Sequence, residues 1–115
     1  MSNPALPAAM RVLEAINSGD LSCLPECVTG DFVDHSSPRP VPPGPAGYAQ
    51  ILGFVTQVLR IRYELKDLIT TEDRIVVRAV ASGTGAPQVH APDVGREYHM
   101  ETIHIYRTEG DRLAE

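Results

Sequence analysis

A chain of 115 residues is long enough for one domain and too short for two. Its net charge of −5 is spread along the chain, without the basic stripe or the RNA-reading aromatic motif of nucleic-acid-binding proteins. No apolar run approaches the length of a membrane span, and the first ten residues lack a basic start followed by an apolar stretch. We therefore predict a cytoplasmic protein that binds neither nucleic acid nor membrane.

The two cysteines, Cys23 and Cys27, stand four residues apart. A redox or metal-binding pair is one interpretation, but the spacing is CxxxC rather than CxxC and no histidine lies beside it. The same pattern is more typical of two reduced thiols packed on a short helix. The four histidines also lack the spacing of a metal site, so we predict neither a metal nor a cofactor.

The first half of the chain predicts three helices. Apolar residues recur at helical spacing over residues 4–17, with Asn3 as the candidate N-cap and Gly19 as a left-handed C-cap. A short second helix is predicted over about 21–29 and a third over about 46–60.

An extended segment and a proline-rich segment separate the second and third predicted helices. Residues 31–36 run extended, and residues 37–45 contain five prolines. The proline-rich segment is predicted to be a stiff surface loop over an opening, or simply a long connection.

The second half of the chain predicts antiparallel strands. Residues 61–67 alternate, with Ile61, Tyr63 and Leu65 facing inward, and residues 75–85 begin with β-branched side chains. A loop over 86–94 precedes the longest predicted strand, 95–107, which is followed by a hairpin turn at 109–111 and the start of a last strand. Helices followed by a meander of strands predict an α+β fold, with three N-terminal helices packed on one face of a curved, cone-like antiparallel sheet.

Period two divides the longest predicted strand into two faces. One face, predicted to point toward the helices, carries Tyr98, Met100, Thr102, His104 and Tyr106. The other carries His99, Glu101, Ile103, Ile105 and Arg107. Neither face is simply polar, so we expect both to be covered. A small domain that also encloses a ligand cavity gives up stabilising burial, and we therefore predict a homodimer in which Ile103 and Ile105 face the partner.

Four phrases resemble a known family: EAINSGDLSCLPECVTGDFVDHS, PPGPAGY, YELKDLITTEDRIVVRAVASGTG and GREYHMETIHIYRTEGDRLAE. They are similar to SnoaL-like polyketide cyclases, which belong to the nuclear-transport-factor-like superfamily. The resemblance implies a single cone-shaped domain over residues 1–115, with a pocket between the sheet and the helices. Family members continue beyond the position of Glu115 with a segment that completes the last strand and carries the cyclases' aspartate, so the resemblance also implies a shortened last strand.

The resemblance implies catalytic roles for three residues. The base position of ketosteroid isomerase-like relatives falls on His35, with Asp34 beside it, and the second polar position falls on His104, near Tyr106. With His35 as base and His104 and Tyr106 as donors to the enolate, the implied activity is that of a cofactor-independent lyase or isomerase acting on a hydrophobic carbonyl compound. The residues that we expect to line the substrate pocket are Tyr48, Leu52, Tyr63, Met100 and Thr102.

Structural roles are the competing interpretations. His35 can be a loop-edge residue, His104 a core histidine, and the tyrosines core residues with a solvated hydroxyl. On a regular strand Asp34 and His35 point to opposite faces, so only one would enter the pocket. The same fold also allows a non-catalytic module for ligand binding or dimerisation. Epoxide hydrolysis, with Arg78 between two aspartates, has no second aspartate to support it.

Overall fold

The computed structural model describes residues 3–35, 40–83 and 98–115, and these confirm the α+β architecture. The helices are α1 (Leu6–Ser18), α2 (Leu24–Cys27) and α3 (Pro45–Gly53), and α3 continues into a π-helical turn, Phe54–Val58. The strands are β1 (Arg62–Thr70), β2 (Arg74–Gly83), β3 (Tyr98–Glu109) and β4 (Arg112–Leu113), paired antiparallel in that order. No helix in these described ranges is long and apolar enough to cross a membrane.

Helix α1 packs on the sheet through small and branched side chains. Its buried face includes Val12 and Ile16, which share one core cluster with Ile75 and Val77 of β2. The predicted left-handed cap is confirmed, since Gly19 has φ 82° and its N–H donates to the Ala15 carbonyl.

The predicted N-cap of α1 is wrong in its details. Asn3 lies too early to cap the helix, and its Oδ1 instead accepts a hydrogen bond from the N–H of Ala5 at 2.8 Å. Its amide donates to the Thr108 hydroxyl at 3.0 Å and to the Thr71 carbonyl at 2.9 Å. The buried Asn3 side chain therefore ties the start of the helix to the sheet.

The second helix is shorter than predicted and covers only Leu24–Cys27. Cys27 is buried, Cys23 is partly buried, and both thiols are free. Burial raises the pKa of the Cys27 thiol to about 11, so this thiol stays protonated at neutral pH.

The predicted third helix changes geometry after Gly53. The Leu59 N–H donates to the Phe54 carbonyl, which is the i→i+5 bond of a π-helix. The Thr56 hydroxyl bonds back to the Gly53 carbonyl at 3.3 Å and competes with the regular ladder at this point. Arg60 then takes a left-handed conformation, with φ 53°, and the chain turns into β1.

One register relates β2 to β3 over ten residue pairs, from Arg74↔Arg107 to Gly83↔Tyr98. The helix-facing residues of β2 are buried, and they pair with the even-numbered residues of β3. The predicted division of β3 into two faces is thereby confirmed. Ile103 and Ile105, on the outer face, are 66% and 64% exposed.

Strand β1 departs from simple alternation. A register shift between Leu65 and Asp67 places Leu68, rather than Asp67, opposite the buried Val77. Ile61 is buried as predicted, whereas Leu65 is 38% exposed on this outer strand. The Asn17 side chain occupies the edge of β1, exchanging bonds of 2.9 and 2.8 Å with the backbone of Tyr63.

The chain before α3 is fastened to the extended segment. The Gly44 N–H donates to the Phe32 carbonyl at 2.8 Å, and Gly44 itself has φ 90°. A Cβ on Gly47 would lie 1.6 Å from the Pro42 carbonyl oxygen, so only glycine allows this close approach. The predicted 86–94 loop with His90, and the side chain of Tyr98, lie outside the described residues.

Candidate functional site

A cavity of about 430 Å³ lies between α3, the inner face of β3 and the extended segment 32–35. This volume is within the range of small-molecule sites. Aliphatic and aromatic side chains make most of the wall, including Ile16, Phe32, Ile51 and Val55.

Six of the predicted site residues line this cavity, and they come from four parts of the chain: the extended segment, α3, β1 and β3. These six are His35, Tyr48, Leu52, Tyr63, His104 and Tyr106. Met100 and Thr102 do not line it, although they share the inner face of β3. Met100 is 48% exposed, and the Thr102 hydroxyl bonds to the Ala79 carbonyl and contacts His104.

Two phenols meet in the wall of the cavity. The hydroxyl oxygens of Tyr48, from α3, and Tyr106, from β3, are 3.4 Å apart. Burial raises the pKa of both phenols, and the nearby Asp34 carboxylate raises them further. Both tyrosines are therefore protonated hydrogen-bond donors at neutral pH. The Phe32 ring packs against Tyr48 with centroids 4.4 Å apart.

His104 stands two residues before Tyr106 on the same face of β3. Its Nε2 lies 3.2 Å from the Thr102 hydroxyl, and the Tyr63 ring meets it edge to face at 5.1 Å. Burial lowers the pKa of His104 and the charge of Asp34 partly opposes this, so the ring is predominantly neutral at pH 7.

Asp34 and His35 both line the cavity, and the prediction that only one of them enters it is wrong. The reason is that residues 32–34 form no regular strand, so the alternation of side chains across a strand does not apply to them. Asp34 is partly buried and its charge reaches Tyr48, Tyr106 and His104. The His35 side chain, at the rim, is 70% exposed.

Polar contacts link His35, Glu115 and Arg107 at the rim of the cavity. His35 Nε2 contacts one carboxylate oxygen of Glu115, and the other accepts from Arg107 Nε at 2.9 Å. These contacts, first with Arg107 and then with His35, lower the pKa of the Glu115 carboxyl. Sequence reasoning missed Glu115 and Arg107 as site residues. The predicted hairpin at 109–111 was the available signal, because it folds Glu115 back beside Arg107.

Arg78 lies away from the cavity. It pairs with Ile103 on the outer face of the sheet, and its guanidinium is 3.9 Å from the Glu101 carboxylate. From this position Arg78 cannot be the central residue of an epoxide-hydrolase arrangement in the cavity.

We predict that the Asp34 charge limits how far burial lowers the pKa of His104. In an NMR titration, the wild-type His104 midpoint should lie below the ordinary value of 6.5. Asp34→Asn should lower that pKa further, because the substitution removes the charge that favours the imidazolium. Between the folded-state pKa of His104 and its higher unfolded-state pKa, the unfolded chain binds more protons than the folded chain. The free energy of unfolding should therefore fall as the pH drops through that window. Asp31→Asn, at an exposed carboxylate on the same segment, is the control. An unchanged midpoint in Asp34→Asn would contradict the coupling.

Comparison with known proteins supports a single family. The family model for the SnoaL-like domain matches residues 9–115. TsrD from Streptomyces laurentii is 26% identical over 96% of this chain and 83% of its own, with a TM-score of 0.78. IdmH from Streptomyces antibioticus, a candidate polyketide cyclase, is 24% identical over 94% of this chain and 85% of its own, with a TM-score of 0.71. A SnoaL-like polyketide cyclase from Agrobacterium tumefaciens is 18% identical over 99% of this chain and 87% of its own, with a TM-score of 0.79.

No protein of curated function matches the chain in sequence. The family model nevertheless covers most of the chain and agrees with the cone-like arrangement of helices on a curved sheet. The chain therefore belongs to the SnoaL-like domain family.

Proposed function

We propose that the protein is a cytoplasmic, cofactor-independent lyase or isomerase that forms an enolate from an apolar carbonyl compound, as a polyketide cyclase does. The observation that carries this proposal is the pair of adjoining phenols, buried Tyr48 and partly buried Tyr106, in the wall of an apolar cavity that two imidazoles also line. Enolate chemistry needs a donor for the developing oxygen charge and a base for the proton alpha to the carbonyl.

Tyr106 is the proposed donor. When the Tyr48 hydroxyl donates to Tyr106 across the 3.4 Å between them, the Tyr106 hydrogen is left for the carbonyl oxygen of a substrate. The raised pKa of each phenol, caused mainly by burial, keeps that hydrogen in place. A phenol held by a second phenol also needs little reorganisation as negative charge develops on the substrate oxygen.

His35 is the proposed base. If its Nε2–H donates to Glu115, the unprotonated Nδ1 is the nitrogen that can take up a proton. The Glu115 carboxylate would then stabilise the imidazolium that forms, while Arg107 holds that carboxylate in position through its 2.9 Å contact.

Alanine substitution of His35 tests this assignment. β-Tetralone, a bicyclic ketone with acidic alpha protons, is a suitable probe, because enolate formation exchanges those protons for deuterium and NMR follows the exchange. His35→Ala should slow exchange roughly 10²–10⁴-fold, the usual contribution of a general base, with a nearly unchanged melting temperature. His99→Ala is the control, because it changes a histidine on the outer face of the sheet. This variant should catalyse β-tetralone exchange at the wild-type rate. Full activity in His35→Ala would contradict the role of this residue.

A binding module without turnover is the second candidate function. Apolar side chains that line the cavity, among them Val33, Ile51 and Val55, can contact a bound apolar molecule without any proton transfer. Wild-type protein that is stabilised by aromatic polyketides or steroids in a thermal-shift screen, yet exchanges no β-tetralone protons, would favour this function over catalysis. Failure of every apolar ligand to stabilise the protein would count against both functions.

The outer face of the sheet supports the proposal of a homodimer. Ile69, Ile103 and Ile105 are more than half exposed there, beside the oppositely charged Arg78 and Glu101. A face that carries an apolar centre and both charge signs can match itself about a two-fold axis. Burying each isoleucine would contribute roughly 1.5–3 kcal/mol relative to its full exposure.

We expect sedimentation velocity to find a dimer for the wild type and a monomer for Ile103→Glu, because the new carboxylate would be buried in the interface. Phe54→Glu is the matched control, since Phe54 is 50% exposed on the π-helical turn rather than on the sheet. This control should remain dimeric. A monomeric wild type at all concentrations, or a dimeric Ile103→Glu protein, would overturn the proposed interface.

A further inference from the structure

Thr102 lies between two possible hydrogen-bond partners on the inner face of the sheet. Its hydroxyl oxygen is 3.2 Å from the Ala79 carbonyl oxygen and 3.2 Å from His104 Nε2. A carbonyl oxygen can only accept, so the contact with Ala79 requires the single hydroxyl hydrogen of Thr102. The same hydroxyl can then only accept at its contact with His104.

The two neutral tautomers of His104 differ in whether they satisfy both contacts. With the proton on Nε2, the imidazole donates to Thr102 and Thr102 donates to Ala79. With the proton on Nδ1, Nε2 is an acceptor, and one hydroxyl hydrogen would have to serve two acceptors. At one of the two 3.2 Å contacts, two acceptor atoms would then face each other without a hydrogen between them.

We infer that Thr102 is a positioning residue that fixes neutral His104 with its proton on Nε2, so that Nδ1 is the atom His104 offers to a ligand in the cavity. No residue in the described part of the chain forms a hydrogen bond with Nδ1. A neutral His104 of this form accepts a hydrogen bond from a ligand and cannot donate one to it. The donor role that the family resemblance implied for His104 is thereby replaced by an acceptor role.

This inference deepens the proposed function and rests on it for the ligand's chemistry. Tyr106 presents a hydrogen and His104 presents a lone pair from the same face of β3. The complementary ligand carries a carbonyl oxygen for the phenol and a hydroxyl hydrogen for the imidazole. A hydroxylated carbonyl compound, or the enol of a dicarbonyl compound, meets both requirements, whereas a simple ketone meets only the first.

NMR of isotopically labelled protein tests the tautomer without any substrate. Proton–nitrogen correlation spectra at neutral pH should place the His104 proton on Nε2, as a resonance that hydrogen bonding protects from exchange with water. Thr102→Ser keeps the hydroxyl and should keep this resonance. Thr102→Val keeps the shape of the side chain but removes the acceptor, so the protected resonance should disappear.

Two results would overturn the inference: a wild-type proton on Nδ1, or an unchanged protected Nε2–H resonance in Thr102→Val. The wild-type spectrum decides the first point even if Thr102→Val fails to fold. Failure of the proposed function is a separate outcome, because it would appear as absent β-tetralone exchange in a protein whose His104 spectrum is as expected.

Discussion

The register between β2 and β3 is the constraint on which the site depends. It places His104 opposite Val77 and Tyr106 opposite Ile75, two residues buried against the helices. Because side chains alternate across a strand, a shift of one residue would send both polar groups to the outer face and bring Ile103 and Ile105 inward. The fully buried β2 residues oppose such a slip, so the core packing that stabilises the domain also orients the chemistry.

The second requirement is a segment that meets β3 from the other side of the cavity. Residues 32–35 are irregular, and their position comes from contacts rather than from strand pairing: Gly44 binds the Phe32 carbonyl, and Phe32 packs on Tyr48. These contacts bring the Asp34 charge near both phenols and His104. Burial raises the pKa of both phenols and lowers the pKa of His104. The Asp34 charge raises all three pKa values, so it opposes the effect of burial only at His104. The apolar wall and the Asp34 carboxylate together define the ionisation of the two phenols and His104.

Local sequence patterns predicted the features that depend on the conformation of a few neighbouring residues. Period two predicts the two faces of β3, left-handed glycine predicts the Gly19 cap, and hairpin geometry predicts the turn at 109–111. All three agree with the structure. The π-helical turn and the shift after Leu65 were not predictable, because a side-chain bond from Thr56 and an unpaired residue in the β1–β2 ladder produce them. The cavity positions of His35, His104 and Tyr106 came from the family resemblance. The contact of His35 with Glu115, 80 residues later, depends on tertiary packing that no local pattern encodes.

We propose that Tyr106, supported by Tyr48, binds the oxygen of an enol or enolate inside this cavity. A crystal structure with β-naphthol, a stable aromatic analogue of the enol of β-tetralone, tests it most directly. We expect the naphthalene rings to lie within the cavity and the naphthol oxygen to lie within hydrogen-bond distance of Tyr106 Oη. Rings bound on the outer sheet face at Ile103 and Ile105, or an oxygen that points away from the phenols, would contradict it.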